Sequence, residues 1–500
     1  MGSEQSALEK ELRTLSDVAH VDLSVRGLSD LPPAVDKLEG CLCLDLSKNE
    51  LTTLPDEIGE LHNCRRLLLD KNQLVELPDA IGGLKQLTEL SLAKNRMFLL
   101  PLTEALAGCS SLTVVDLSHN GLETTPAVLF YLPALTTLKL HHNEITAVDP
   151  LVVQSTALDV LDISFNKLRV LPALPASLTA VFAQENELIN VEALADLPML
   201  ERLNLASNEI QELPDSFFSR LAALQHIILS NNPGLVALPS LAGCVSLTNL
   251  TLEGCGVKAM PPSLAACRNL EVLRLRGNAG LAANSLAVAT LVNLTKLSLC
   301  QIGLTLLPDG LSELSSLHTL DLRRNKLMAD VIDNLGLPNL HRLYLSGNPL
   351  GVVPVGLELM PLTELGLSST LLDDATGVDA VTSLTFLNLS SNKLTFLPEH
   401  LADVVQLRNL QLQENYLGSL PKTIGALTNL ERLDVSDNDI RSLPPELAHC
   451  KRLVFLEALR GNPIIFPPRR VMDAGLEAIM ETLRKRLGSG DGPLVMDAAN

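Results

Sequence analysis

Tryptophan is absent from this chain, and 500 residues hold only three tyrosines and ten phenylalanines. A core built on aromatic side chains is excluded, and leucine must fill the interior. Cations are scarce too: 38 Lys and Arg stand against 58 Asp and Glu, a formal net charge of −20. A uniformly acidic chain repels phosphate backbones and anionic lipid, which excludes general nucleic-acid binding and simple electrostatic adhesion to membranes. No run of about 18 apolar residues could span a bilayer. MGSEQSALEKEL at the N-terminus has no apolar signal core. The nine cysteines are odd in number and scattered, without paired clusters. Four recur in one slot, in LAGCSSL, LAGCVSL, LAACRNL and LAHCKRL, where a free thiol packs as a small hydrophobe. No phosphate loop, HExxH, GxSxG or kinase signature is found. The chain is therefore expected to be soluble, reduced and cytoplasmic, not an enzyme, and without cofactor or metal.

What is there is a period. LDLSKNELTTLP (44–55) returns after 23 residues as LLLDKNQLVELP and after 23 more as LSLAKNRMFLLP. The template LxxLxLxxNxL runs through twenty turns, and eleven of the nineteen spacings are 23. Asn fills its polar slot at Asn49, Asn72, Asn95, Asn120, Asn143, Asn166, Asn186, Asn208, Asn232, Asn278, Asn325, Asn348, Asn392, Asn415, Asn438 and Asn462. Arg26, Cys255, Ile302 and Thr370 take the other four. Such self-similarity is the signature of leucine-rich repeats.

Alternation in LDLS predicts a strand with one face inward, and equivalent strands pair in parallel along a solenoid. Where the chain turns off the strand, backbone groups are stranded near the core, and leaving one unsatisfied costs about 1–3 kcal/mol. Asn offers both an acceptor and donors, so a stacked ladder of Asn is a structural device. Ile302 cannot serve, and water or a changed turn must substitute there; Cys255 and Thr370 serve partly. The LPxxI and LPxxL arms predict short 3₁₀ or helical pieces after a proline that ends the pairing.

The expected fold is α/β: a curved leucine-rich-repeat horseshoe with a parallel concave sheet and helical caps at both ends. Residues 1–17 read as an N-terminal capping helix, with Ser6–Glu9 as a capping box and Leu8, Leu12 and Leu15 on one face. Residues 18–466 form the solenoid, 467–487 a C-terminal capping helix, and 488–500 a disordered tail.

The LPxxIGxL arms in 23-residue turns resemble the intracellular Ras-group leucine-rich-repeat scaffolds. The resemblance covers nearly the whole chain and implies a non-catalytic signalling adaptor that binds small GTPases or phosphatases on its concave face. It brings no catalytic residues. Recruitment of substrates to a phosphatase or ubiquitin ligase is the alternative, although no F-box-like segment precedes the repeats.

Projecting the outward strand positions gathers a basic cluster in an acidic protein: Arg274, Arg276, Lys296, Arg323, Arg324 and Arg342, with Tyr344 beside them. These fall on four consecutive turns, and clustered Arg with Tyr is typical of interface anchors for an acidic or phosphorylated partner. Asp321 and its acidic neighbours oppose it. Asp116, Lys139 and Asp162 form a second column, a charge ladder, with His119, His141 and His142 near it. His119 and His142 lie one turn apart, a spacing open to a metal. Phe165, Phe182 and Ile228 project outward nearby. The opening MGSEQS matches the N-myristoylation pattern at Gly2, which alone gives weak, reversible membrane contact and a peripheral membrane fraction.

Overall fold

Each turn opens with a strand of three residues whose middle side chain points into the core. The computed structural model describes residues 2–98 and 102–489, and the side chains of 6–98 and 102–488. The chain divides into two compact units, Met1–Val257 and Lys258–Asn500. Among the described residues, the first unit holds eleven strands and the second nine. Within each, neighbouring strands pair in parallel and in register, as in Leu44↔Leu67 and Leu297↔Leu320. This leucine column is buried, from Leu44 and Leu67 in the first unit to Leu410 and Leu433 in the second. Burial of each leucine contributes about 1.5–3 kcal/mol, so the sheets are held by a row of like side chains and few aromatics.

The returning arms are 3₁₀ pieces set off by proline. Pro55, with φ −72°, precedes Asp56–Glu60, and Pro78 and Pro421 do the same for Asp79–Gly83 and Lys422–Ala426. Ile58, Ile81 and Ile424 are buried beneath them. The glycine after the isoleucine is steric: a Cβ on Gly59 would lie 2.3 Å from the Ala80 carbonyl oxygen of the next arm.

The asparagine slot explains how the chain leaves the sheet. The Asn49 amide donates to the Leu46 and Leu23 carbonyls, both at 2.9 Å. Its Oδ1 accepts the N–H groups of Arg26 and Leu28 at 2.9 and 3.1 Å. One side chain thus stitches two turns. The residue before it sits in the left-handed region in turn after turn: φ is 57° at Lys48, 56° at Lys71 and 58° at Lys94, with Gly254, Gly277, Gly347 and Gly461 in the same place elsewhere. For a residue with a Cβ this region costs about 1–2 kcal/mol, and the Asn bonds hold it there.

Where Asn is missing the substitutes differ. The Cys255 thiol donates to the Leu229 carbonyl at 3.2 Å, and the Thr370 hydroxyl to Leu367 at 2.6 Å. Ile302 is buried, and the turn itself changes: the Gly280 N–H, which an Asn side chain would take, goes to the Ile302 backbone carbonyl at 3.1 Å. The Thr370 backbone carbonyl likewise accepts from the turn before it, from Gly351 N–H at 3.0 Å, one residue further along than Gly280 in its own turn.

At one end, helix Gly2–Thr14 buries Leu8 and Leu12 and packs on Pro33–Lys37. Leu15 lies past it and is only half-buried. At the other, the segment expected as one helix folds as two, Arg469–Met472 and Leu476–Ser489. The break falls at Gly475, whose φ of 93° no continuing helix accepts. The second helix buries Ile479, Met480 and Leu483 against Pro445–His449. It carries Gly488 and Ser489 with it, and residues 490–500 lie outside the described residues.

Candidate functional site

The open face of the second unit carries the basic residues in two columns. Lys296 and Arg342 share one, with Thr319 between them. The other runs Arg274, Ser298, Asp321 and Tyr344. Three strand steps of about 4.8 Å separate Arg274 from Tyr344, roughly 15 Å in all. The residues Arg276, Arg323 and Arg324 leave from the turns that follow these strands.

The structure sorts this cluster into bound and unbound charges. Arg323 is bound: its Nε and Nη2 reach the two Asp321 oxygens at 2.8 and 2.7 Å, and its guanidinium lies 5.3 Å from the Tyr344 ring centre. The hydrogen bond from Arg323 to the Asp321 carboxylate pushes the guanidinium pKa further up. Tyr344 donates its hydroxyl to Glu364 at 2.5 Å, and burial followed by that bond pushes the phenol up to about 12, so it stays neutral. Arg342 donates to the Thr319 hydroxyl at 3.0 Å. Arg274, Arg276, Lys296 and Arg324 are exposed and form no ion pair among the described residues. The site that faces solvent is therefore four free cations around one neutralised pair.

In the first unit, Lys139 lies 3.5 Å from Asp116, and His141 Nδ1 lies 3.2 Å from Asp162. Burial alone would raise the Asp162 carboxyl, but the His141 ring and Ser164 together bring it below its ordinary value. His119 and His142 do not converge on a point. Their rings stack face to face at 4.2 Å and 12°, and Phe165 continues the stack at 4.1 Å and 13°. Their lone pairs lie in parallel planes, and no group of His, Cys, Asp or Glu suited to a metal occurs among the described residues. Phe165 is exposed, while Phe182 and Ile228 are half-buried. A small cleft of about 160 Å³ lies between Phe98, Leu122 and Val128, below the volume of an ordinary ligand pocket. Gly2 begins the first helix, and nothing before Ser6 has a described side chain. No described helix is long and apolar enough to cross a membrane.

Sequence reasoning passed over Lys48, Lys71 and Lys94, which the template marks only as variable. The signal was the glycine at the same slot in other turns, the mark of a positive φ.

Parallel strands, asparagine-capped turns and a broad open face define a repeat solenoid of the kind that typically binds proteins without catalysis. Family models for leucine rich repeats match residues 43–97, 110–168, 186–257, 383–404 and 429–450, and the chain belongs to the leucine-rich-repeat proteins. YopM from Yersinia enterocolitica is similar in structure, with a TM-score of 0.68 and 27% identity over 93% of this chain and 91% of its own. The plant peptide hormone receptor RGFR1, solved in complex with RGF2, shares the fold with a TM-score of 0.55 and 24% identity over 89% of this chain and 86% of its own. A protein of Arabidopsis thaliana named for disease resistance is 38% identical over 78 residues, 16% of this chain and 9% of that protein. The chain thus matches under a tenth of that relative's length.

Proposed function

We propose that this chain is an intracellular signalling scaffold of the Ras-group kind, which holds an acidic or phosphorylated protein partner on the open face of Lys258–Asn500. Segments 169–195 and 458–487, similar to those of leucine-rich repeat-containing protein 40, support that grouping. The observation that carries the reading is the set of free cations Arg274, Arg276, Lys296 and Arg324 on neighbouring turns of a chain with net charge −20. Exposed like charges repel one another and gain nothing for the fold. An incoming carboxylate or phosphate relieves that repulsion and accepts charge-assisted hydrogen bonds. Arg323, Arg342 and Tyr344 frame the set and supply flat contact area. By family resemblance the partner is a small GTPase or a phosphatase. Residence in the cytoplasm, with a peripheral membrane fraction if Gly2 is myristoylated, belongs to the same proposal.

The test is affinity purification from the native cell with wild type and with Arg274→Glu, Arg276→Glu, Arg323→Glu, Arg324→Glu. Circular dichroism verifies that the variant folds. Loss of one defined partner from the variant eluate supports the reading, and identical eluates overturn it.

A further inference from the structure

The first unit carries a strip of side chains that neither the fold nor the basic cluster uses. Lys48, Lys71, Lys94, His119, His142 and Phe165 hold one equivalent position in six consecutive turns, each with φ between 54° and 58°. Each N–H donates to a carbonyl of the next turn: Lys48 to Asp70 at 2.7 Å, Lys71 to Ala93 at 2.8 Å, and Lys94 to Ser118 at 2.9 Å. His119, His142 and Phe165 repeat the bond at 2.9, 3.0 and 2.8 Å. The six side chains therefore leave the backbone in register, about 4.8 Å apart. We propose that this strip is a second docking site, and that it takes an extended acidic peptide segment of a partner protein.

The three lysines are exposed, and their ammonium groups form no ion pair or hydrogen bond among the described residues. The carboxylates beside them are engaged elsewhere. Asp45 accepts the Ser47 N–H at 2.8 Å, Asp70 accepts Ser91 Oγ and Ala93 N–H at 2.5 and 2.9 Å, and Asp116 accepts Ser118 N–H at 3.0 Å. Glu50, two residues past Lys48, is exposed and does not pair with it. Lysine is also an unhelpful choice for the fold here. It carries a Cβ into a left-handed position that Gly254 fills without strain, and it sets three like charges side by side. These side chains gain nothing from each other, only from an anion.

The rings decide which anion. His142 is covered on both faces, by His119 and Phe165, and the stack presents ring edges, which carry the positive part of the ring quadrupole and the imidazole N–H donors. A nucleobase needs an open face to stack on, whereas a carboxylate or a peptide carbonyl needs an edge donor. Val25 precedes the strip and Glu185 follows it at the equivalent position, so the run of donors is bounded. Five steps span about 24 Å, the reach of about seven extended residues.

The strip lies in Met1–Val257 and the basic cluster in Lys258–Asn500, so either proposal can fail alone. The full chain carrying Arg274→Glu, Arg276→Glu, Arg323→Glu and Arg324→Glu serves as the reference, which removes the other cationic surface. Fluorescein-labelled decaglutamate is titrated with it and followed by anisotropy, beside an oligouridylate of equal charge. We expect saturable binding of the peptide, weakened about tenfold or more by Lys48→Gln, Lys71→Gln, Lys94→Gln, since each exposed pair contributes a factor of a few. The matching three Lys→Arg changes keep the binding, which a folding defect would not allow. No saturable binding, binding undiminished by the Gln variant, or tighter binding of the oligouridylate would each overturn the proposal.

Discussion

Asn325 Oδ1 accepts the Ile302 backbone N–H at 3.2 Å, and with it those of Gly303 and Leu304 at 2.9 and 3.0 Å. Its amide donates to Leu299 and Leu322 carbonyls, both at 2.8 Å. Five backbone groups depend on this side chain. Asn325→Ala is therefore expected to lower the stability of its unit by about 3 kcal/mol or more, at about 1–3 kcal/mol per buried group left unpaired. Urea unfolding followed by circular dichroism checks this, and equal midpoints for Asn325→Ala and wild type would refute the assignment.

Asp321 competes with any acidic partner for Arg323. Asp321→Asn leaves the shape of the cluster intact and releases one more cation. We expect the partner retained in the affinity purification to bind the variant several-fold more tightly, on the scale of one exposed-to-half-buried charge pair. Weaker binding would mean that Arg323 acts through its ion pair and not as a free anchor.

His119 is held below its ordinary pKa, first by burial and then by the positive fields of His142 and Lys94. The unfolded chain therefore binds a proton more readily than the folded one. Stability is full at neutral pH and falls as the pH drops through about 6.5 toward the folded value. His119→Phe keeps the ring stack and removes that proton. The variant is expected to lose less thermal stability than wild type between pH 7.5 and 5.5. A parallel loss in the two proteins would show that other groups carry the acid sensitivity.

The nine cysteines are buried thiols outside any disulfide. Burial pushes the Cys64 thiol up to about 12, and Cys109, Cys267 and Cys450 up to about 11. Thiolate is the reactive form. At pH 8 the folded protein is expected to resist a thiol-labelling disulfide reagent over the minutes in which the urea-unfolded chain reacts at all nine positions. Rapid labelling of any cysteine in the folded state, read by mass spectrometry, would contradict the packing.

Much of the fold was legible because one template is written twenty times, so errors in one turn are corrected by the next. Leu44, Asn49 and Pro55 each have a fixed task, and the residue types announce it. The end of the chain lacked that redundancy: an apolar stripe of Leu476, Ile479, Met480 and Leu483 made 467–487 read as one helix, and only Gly475 signalled the break. The site was less legible. Spacing placed Arg323 and Asp321 near each other but did not say that they pair, since that depends on rotamers. The lysine strip was invisible for a different reason. Its residues share a backbone conformation and not a chemistry, and a template built on chemistry marks such a slot as blank.

The left-handed slot before each asparagine has its backbone set by neighbouring turns, whatever side chain stands there. Valine, lysine, histidine, phenylalanine, glutamate, serine and glycine all occupy it. In the turns that already carry a side chain there, it is a row of interchangeable letters on an unchanging line; glycine marks the turns where a Cβ would strike the neighbouring one, as at Gly461, where it would lie 2.1 Å from Asp437 Oδ1. A new specificity could be spelled along the occupied letters, by mutation or by design, while the scaffold holds.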